Sequence, residues 1–277
     1  MKIYYSNFGA VKDDENLFPK IDILVSYYGL KKLTAPKFCN HLFLDSGAFS
    51  AFTKKIEINL NEYIIFIKEN KSELKVYASL DDISSYKKSI VNFKKMLKEK
   101  INPLPAFHIG EPLDVLDFYF DHTDYVALGG IAKQPKRERI PFLDKTFSRY
   151  PNSKFHGFGI TDKNILKKYP WYSVDSSSIH MQARYGGIST PWGWTKINPD
   201  VNQKDLSWAI PLKIEIVKEW VESLKFKKEI KNIFELARQN NTEGTYFRCL
   251  ISVVYYELLK KECTKNKPIH KPKKELI

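Results

Sequence analysis

Short apolar runs recur at a fairly even spacing through the first 200 residues, and most of them end in polar or glycine positions. Each run is nearly continuous in apolar residues, as is typical of strands buried on both faces. The runs cover residues 21–28, 41–49, 75–82, 102–110, 125–132, 154–161, 171–178 and 189–197. This pattern predicts seven strands, with residues 189–197 as a less regular eighth.

Amphipathic stretches separate several of these runs, with apolar residues at helical spacing. They cover residues 60–70, 84–100, 112–120 and 162–169. Strands that alternate with helices predict parallel strands joined by right-handed crossovers. Seven or eight such units favour an α/β fold, a (β/α)8 TIM-like barrel, while an open doubly wound sheet stays as the alternative.

The pattern changes after Ile197, where residues 206–226, 228–240 and 245–263 have helical spacing and no strand follows. Residues 246–259 are apolar almost all round, so we predict that this helix packs against the barrel. The Lys- and Pro-rich end, 265–277, is expected to fray. We therefore predict one domain, with a barrel core over 1–200 and C-terminal helices with a basic tail over 201–277.

Polar and glycine residues follow the predicted strands, where the active sites of parallel barrels lie. These residues are Asp45-Ser46-Gly47, Asp81-Asp82, His108-Ile109-Gly110-Glu111, Gly129-Gly130, His156-Gly157-Phe158-Gly159 and Asp175-Ser176-Ser177-Ser178. Each has a structural alternative, because Asp at a strand end caps helices, Gly-Gly forms tight turns and a buried His is often a core residue. Capping does not explain why carboxylates follow the second, third and seventh runs, with glycines leaving space between them.

Two separated carboxylates favour attack at an electrophilic carbon, with one as nucleophile and the other handling protons. Glycosyl transfer is the prime case, because nearby anions stabilise an oxocarbenium-like transition state. This argument does not separate a sugar hydrolase from an enzyme that exchanges bases.

Charge and cysteine usage narrow the class of protein. The 277 residues carry 45 Lys and Arg against 32 Asp and Glu, a net charge of +13, which favours a polyanionic partner such as nucleic acid over a merely lysine-rich surface.

Cys39, Cys249 and Cys263 are far apart, so we predict no metal site, no other cofactor and no disulfide framework. No apolar segment has the length of a signal peptide or membrane span, so we expect a cytoplasmic protein. Oligomeric state is left open.

Five segments together resemble the tRNA-guanine transglycosylases. They are LDSGAF at 44–49, SLDD at 79–82, ALGGIA at 127–132, HGFG at 156–159 and SVD at 173–175, which are similar in order and strand position to the family's DSGG(F/Y), FDE, GGLA, MG(V/I)G and FD segments. Within that superfamily, the chain is most similar to the deoxypurine-in-DNA protein A branch. The segments that carry this similarity are DSGAFSAF, FHIGEP, ALGGIA, HGFGIT and YSVDSSS. The resemblance implies a barrel enzyme that exchanges guanine in DNA for a 7-deazaguanine such as preQ0.

Roles follow from the resemblance position by position. It implies that Asp175 attacks C1′ of the target deoxyguanosine and that Asp45 is the acid/base group. Asp81 would accept hydrogen bonds from N1–H and the 2-amino group of the base. The substrate-binding residues implied are Ser46, Gly47, Asp81, His108, Gly129, Gly130, Ile131, His156, Gly157 and Phe158.

Two departures from the tRNA enzymes bear on the substrate. Their CxCxxC…H zinc site has no counterpart here, which favours DNA over tRNA and keeps tRNA as the alternative. Their VQGG segment is replaced by FHIGE at 107–111, so His108 is expected to take the place of the base-reading Gln. A catalytically silent nucleic-acid-binding barrel and a glycoside hydrolase are further alternatives; the two retained aspartates and the guanine-like segments argue against them.

Three residues after the last predicted catalytic strand are candidates for contacts with nucleic acid. Arg184 is suited to hold a phosphate, with a surface salt bridge as the alternative. Trp192 and Trp194 are suited to stack on an unpaired base, with core packing as the alternative. A target base inside a duplex would have to be flipped out to reach the pocket.

Overall fold

The structure is a computed structural model that describes residues 1–6, 8, 14–30, 32–132, 134–199 and 212–265. The described strands are β1 (Lys2–Ser6), β2 (Ile21–Ser26), β3 (Cys39–Asp45), β4 (Leu74–Tyr77), β5 (Ala106–His108), β6 (Tyr125–Gly129), β7 (Lys154–Gly157), β8 (Ser173–Ser176), β9 (Gly187–Thr190) and β10 (Gly193–Lys196). The described helices are α1 (Ala48–Thr53), α2 (Leu60–Glu69), α3 (Tyr86–Lys98), α4 (Leu113–Phe120), α5 (Lys136–Arg149), α6 (Lys163–Lys168), α7 (Ser178–Arg184), α8 (Ile214–Ser223), α9 (Ile233–Arg238) and α10 (Thr242–Lys265).

Eight strands form one curled parallel sheet in the order β4-β3-β2-β1-β8-β7-β6-β5. Strand β1 lies in the middle, where Tyr4 pairs with Asp22 of β2 and with Asp175 of β8. All strands of this sheet point the same way, so their carboxyl ends meet at one edge, here called the strand-end rim. The prediction of an α/β fold with a parallel sheet and C-terminal helices is confirmed.

The two outer strands of the sheet, β4 and β5, are linked just after the end of β4 and just before the start of β5. Ala78 forms a parallel bridge with Leu104. Leu104 N donates to Tyr77 O at 2.9 Å, and Ser79 N donates to Leu104 O at 2.8 Å. These bonds join residues adjacent to both edges of the sheet.

Apolar side chains cover both faces of the sheet, which explains why the strands read as continuous apolar runs. On β1, Ile3 and Tyr5 belong to a large cluster shared with the helices, while Tyr4 points to the opposite, concave face. There a smaller cluster fills the interior; its members are Tyr4, Leu24, Phe43, Ala78, Leu104, Ala106 and Ala127.

The C-terminal helices pack on the outer face of the sheet and share its core. The predicted all-round burial of 246–259 is explained by contacts of α10 on several sides: Ser252 Oγ accepts from Ser189 N, and the Tyr256 hydroxyl lies 3.3 Å from Thr161 O. Of the first predicted helix, 206–226, the part over 206–211 lies outside the described residues, and α8 covers Ile214–Ser223 of the remainder. The predicted frayed end lies outside them except for Lys265, which ends α10.

Two strand predictions were wrong. Residues 189–197 are not an eighth strand of the sheet but belong to the antiparallel β9–β10 hairpin, because Pro191 interrupts the run and the Thr190 side chain closes a turn onto Gly193 O. The eighth strand is instead β1, which covers five residues for which the sequence analysis predicted no strand. The predicted second and seventh strands are therefore β3 and β8.

No described helix combines the length and the apolar character needed to cross a bilayer.

Candidate active site at the strand-end rim

Three carboxylates lie together at the strand-end rim. Asp45 ends β3, Asp81 follows β4 and Asp175 lies in β8. Burial and, to a lesser extent, the negative charges of Asp81 and Asp175 raise the pKa of Asp45 to about 7, against backbone hydrogen bonds that lower it. Like charges have this effect only at short range. The fold therefore brings the predicted nucleophile and the predicted acid/base group to one site.

Asp175 is buried and held by hydrogen bonds to both carboxylate oxygens. Gly159 N donates to Oδ1 at 2.7 Å, and Ser6 Oγ donates to Oδ2 at 3.4 Å. Gly159 has φ +69°, which aims its N–H at the carboxylate from the loop after β7. Ser6 reaches Asp175 because β1 pairs directly with β8. These two contacts fix the orientation of the carboxylate while part of it stays accessible at the rim.

His156 lies directly behind Asp175 and is fully buried. Its Nδ1 is 2.7 Å from Ser173 Oγ, and its Nε2 lies 3.5 Å from Asp175 Oδ1 without a hydrogen bond to the described residues. Its ring packs against aromatic rings from β1, β3 and the loop after β7. The ring has no exposed atom for a ligand, so any influence on a substrate passes through Asp175.

The DSG segment turns the chain sharply after Asp45. Gly47 N donates to Asp45 Oδ2 at 3.1 Å, and Gly47 has φ +77°. A Cβ at Gly47 would lie 2.4 Å from Ser26 Oγ and from Tyr28 Cβ, so no larger residue fits. Buried Ser46 donates from Oγ to Asp81 Oδ1 at 3.3 Å, which links the ends of β3 and β4.

His108 is clamped between two carboxylates. Its Nε2 lies 3.2 Å from Asp81 Oδ2, and its Nδ1 lies 3.2 Å from Glu111 Oε1. Burial opposes a charge on the ring, but the hydrogen bonds to Asp81 and Glu111 outweigh it and raise the pKa of His108 to about 10. The ring is therefore an imidazolium at neutral pH, and both of its N–H groups are already used. It holds Asp81 rather than offering a free donor to a base.

Gly129 makes room for the His108 ring. A Cβ at Gly129 would lie 2.5 Å from His108 Cδ2 and 2.6 Å from Nε2. Neighbouring Gly130 is exposed, with φ +73°, and its backbone is accessible at the rim. Gly129 is therefore needed for packing against His108, whereas Gly130 leaves its backbone accessible to a ligand.

Three other predicted binding residues lie at different depths. Ile131 is fully buried in the large outer core, so only its backbone is available to a ligand. Gly157 is buried, and a Cβ there would lie 2.8 Å from Ile160 and 2.9 Å from Trp171, so its small size serves packing. Phe158 is half-buried against the interior cluster.

The predicted nucleic-acid contacts differ in exposure. Arg184 is exposed and forms no ion pair with the part of the chain that the structure describes. It borders a cavity of about 860 Å³ that also touches His180 and the start of α10 and that none of the three rim aspartates lines. Trp192 is exposed and packs edge-on against Trp220, whereas Trp194 is buried in the hairpin against Gly187. In this structure Trp194 is a packing residue and offers no open face for stacking.

Sequence reasoning missed two residues of the site, Ser6 and Glu111. Ser6 ends a strand that was not recognised. Glu111 follows His108 by three residues in a segment already singled out, and the close spacing of a His and a carboxylate was the available signal. Asp82, by contrast, turns away: its Oδ1 accepts from Ser84 N at 2.9 Å in a local turn.

No group of His, Cys, Asp and Glu within the described ranges is arranged to hold a metal ion. Comparison with known proteins gives no assignment, since no protein-family model matches the chain and no curated protein is significantly similar to it.

Proposed function

We propose that this protein is a guanine transglycosylase that exchanges guanine in DNA for a 7-deazaguanine base through a covalent aspartyl-glycosyl intermediate. The observation that carries the proposal is the meeting of Asp45, Asp81 and Asp175 at one rim, with an Asp45 pKa of about 7. A carboxyl group with that pKa both gives and takes protons at neutral pH. With DNA as substrate, the reaction takes place in the cytoplasm.

The first half of the reaction uses Asp175 as nucleophile. A carboxylate oxygen of Asp175 attacks C1′ of the target deoxyguanosine, the C1′–N9 bond breaks, and guanine leaves with the bonding electron pair. Protonated Asp45 supplies the proton that neutralises the leaving base. The bonds from Gly159 and Ser6 keep the attacking carboxylate oriented during this step.

The second half reverses these roles. The incoming base loses its N9 proton to Asp45, and N9 attacks C1′ as the bond to Asp175 breaks. The protein is thereby returned to its starting protonation state, with a new base on the deoxyribose. Neither half requires a cofactor.

Base recognition is assigned to Asp81, with His108 as a positioning residue. The Asp81 carboxylate accepts hydrogen bonds from N1–H and the 2-amino group, donors that guanine and 7-deazaguanines share. His108 and Glu111 hold that carboxylate by charge-assisted hydrogen bonds. This revises the expectation that His108 reads the base itself. The exposed backbone at Gly130 is assigned to the opposite edge of the base.

We also propose that the sheet is a closed (β/α)8 barrel. The Ala78–Leu104 bridge and its two backbone bonds support closure between β4 and β5. The filled interior supports it as well, since side chains occupy the inside of small barrels.

The experiment supplies labelled guanine or labelled preQ0 with duplex DNA, single-stranded DNA or tRNA. Label is expected to enter DNA, and denaturing gels are expected to show a protein–DNA adduct. Asp175→Asn should lower exchange on the order of 10⁴-fold and abolish the adduct. Asp82→Asn is the matched control, because Asp82 is a neighbouring carboxylate engaged in a local turn.

Other outcomes separate the alternatives. Label that enters only tRNA supports the tRNA reaction. Base release without incorporation supports a hydrolase. Absence of both incorporation and adduct with every nucleic acid overturns the proposal.

A further inference from the structure

Exposed aromatic rings follow both catalytic strands. On α1, Phe49 is 53% exposed and Phe52 is 54% exposed; on and after α7, Met181 is 54% exposed and Tyr185 is 53% exposed. Large apolar side chains are normally withdrawn from water, so three aromatic rings and a methionine this exposed on two separate segments need an explanation. We call Phe49, Phe52, Lys54 and Lys55 the α1 patch, and Met181, Arg184 and Tyr185 the α7 patch.

The inside-out arrangement of α1 is the stronger signal. Its buried side chains are Ala48 and Ala51, the smallest apolar residues of the helix, while its two phenylalanines face solvent. Positions i and i+3 share one side of a helix, so Phe49 and Phe52 form a single aromatic surface. A helix selected for core packing alone would place the phenyl rings inward.

Both patches lie beside the proposed catalytic residues. Helix α1 begins three residues after Asp45, and α7 begins three residues after Asp175. Segments that follow the carboxyl ends of parallel strands lie at the same rim as the active site. Strands β3 and β8 are three positions apart in the sheet, or roughly 14 Å, about the length of four stacked nucleotides.

The charge of both segments is complementary to a phosphate backbone. Residues 46–56 contain Lys54 and Lys55 and no acidic residue, and residues 176–186 contain Arg184 and no acidic residue. Lys54 Nζ lies 5.3 Å from the centroid of the Tyr28 ring, which keeps this cation beside an aromatic surface. Exposed aromatic rings beside cations are the combination that binds single-stranded nucleic acid, through base stacking and phosphate contacts.

We propose that the α1 and α7 patches grip an unpaired polynucleotide strand on both sides of the target nucleotide. Bases next to the target stack on Phe49, Phe52 and Tyr185, while Lys54, Lys55 and Arg184 contact the phosphates. This inference rests on the proposed function, and it adds that the substrate strand is single-stranded across the rim. A duplex would first have to be opened there.

The test measures binding of a fluorescent 12-nucleotide single-stranded DNA, and of the same sequence as RNA, at several salt concentrations. Phe49→Ala with Phe52→Ala, and separately Tyr185→Ala, should each weaken binding roughly 5-fold to 100-fold per ring removed. The salt dependence should stay unchanged in these variants, because no cation is lost. Lys54→Ala with Lys55→Ala should instead reduce the slope of log K against log salt by about 1.4.

The matched control is Ile65→Ala with Val91→Ala, two exposed apolar residues on α2 and α3. This variant should bind as the wild type does. All altered side chains are exposed, so unfolding midpoints should agree and a loss of binding would not reflect misfolding.

The outcomes separate this proposal from the proposed function. Unchanged binding in the aromatic variants, with wild-type base exchange intact, overturns the patches and leaves the enzyme assignment standing. A dimer in sedimentation that becomes monomeric in the Phe49 and Phe52 variant makes the patch a self-association surface and also overturns the proposal. A wild type that exchanges no base and binds neither strand removes both proposals.

Discussion

Burial and the negative charges of two other carboxylates oppose the ionisation of Asp45. Its pKa is about 7 in the folded protein and near 3.8 in an unfolded chain, so between these values the folded state binds more protons. The contribution of Asp45 to the free energy of unfolding therefore falls as pH rises from about 4 to about 7. The same carboxyl group that is suited to proton transfer thus lowers stability at neutral pH.

Asp45→Asn should remove this pH dependence. At pH 8 the variant is expected to be more stable than the wild type by on the order of 1–3 kcal/mol, because one pKa unit corresponds to about 1.4 kcal/mol and solvent screens part of the effect. At pH 4 the advantage should vanish. Urea denaturation across this range measures it, and parallel curves for the two proteins would show that Asp45 titrates normally. Base exchange should fall about 10²-fold to 10⁴-fold.

Gly129 and His108 provide a second prediction, on the clamp that holds Asp81. In Gly129→Ala the new Cβ would displace the imidazole, since it lies 2.5 Å from His108 Cδ2. We expect a loss of about 1–3 kcal/mol in stability and a lower His108 pKa. NMR titration should show no His108 transition between pH 5 and 8 in the wild type and a transition in the variant. The signal that disappears in His108→Gln is the His108 signal. An unshifted His108 pKa in Gly129→Ala contradicts the steric argument.

The sequence predicted the positions of the three rim aspartates but not which residues bind them. Asp45, Asp81 and Asp175 stand at strand ends, and strand ends are readable as the points where apolar runs stop. Ser6 and Glu111 were missed because a hydrogen bond between distant strands, or across a loop, leaves no periodic trace. His156 shows the same limit, since burial behind Asp175 depends on strands that are far apart in the sequence.

Arg248 joins the helices α7, α9 and α10 through its side chain. It is fully buried, with Nε donating to Ala183 O at 2.6 Å and Nη1 donating to Ala237 O at 2.6 Å and Gln239 O at 2.9 Å. These carbonyls belong to the ends of α7 and α9, so one guanidinium on α10 anchors both. Because α7 follows Asp175, this anchor also supports the rim.

Arg248→Met should therefore destabilise the protein by about 3 kcal/mol or more, because several buried carbonyls lose their donor. The matched control is Arg238→Met, a more exposed arginine with one backbone bond, to Ile197 O. It should cost less than about 1 kcal/mol. Thermal or urea unfolding measures the stability of both variants. Equal losses in the free energy of unfolding would mean that the buried hydrogen bonds of Arg248 stabilise the fold no more than the single bond of Arg238.

Helices and strands were predictable where the apolar residues follow a single helical or strand spacing. They were missed where charged residues or a proline disturb that spacing. Residues 60–70 and 84–100 became α2 and α3 almost as expected. Helix α5 was overlooked because four charged residues open it and Pro141 lies inside it. The β9–β10 hairpin was predicted as one strand because apolar residues lie on both sides of Pro191.

The molecule as a whole has one large core that runs from Ile3 to Cys263. Strands, their crossover helices and the C-terminal helices all contribute to it, so none can unfold without exposing the rest. The sequence predicted this association only through the all-round apolar character of 246–259. The curl of the sheet and the filling of its interior depend on strand pairing order, which periodicity does not encode.

Unfolding should consequently be a single cooperative transition. In each of two single-tryptophan variants, one retaining Trp171 behind the sheet and the other Trp220 on α8, the urea midpoint measured by fluorescence should equal the midpoint measured by far-UV circular dichroism. A fluorescence midpoint of the Trp220 variant below its own circular dichroism midpoint would instead identify the C-terminal helices as a separate unit.

The apolar plug behind the rim has a kinetic consequence. Side chains such as Phe43 and Leu104 fill the interior of the sheet, so under the proposed function a base released at Asp175 leaves at the same rim at which it entered. The outgoing and incoming bases then compete for the same place beside Asp175. Under the proposed chemistry, turnover follows double-displacement kinetics, and added guanine slows the reaction by recapturing the sugar before the second base arrives.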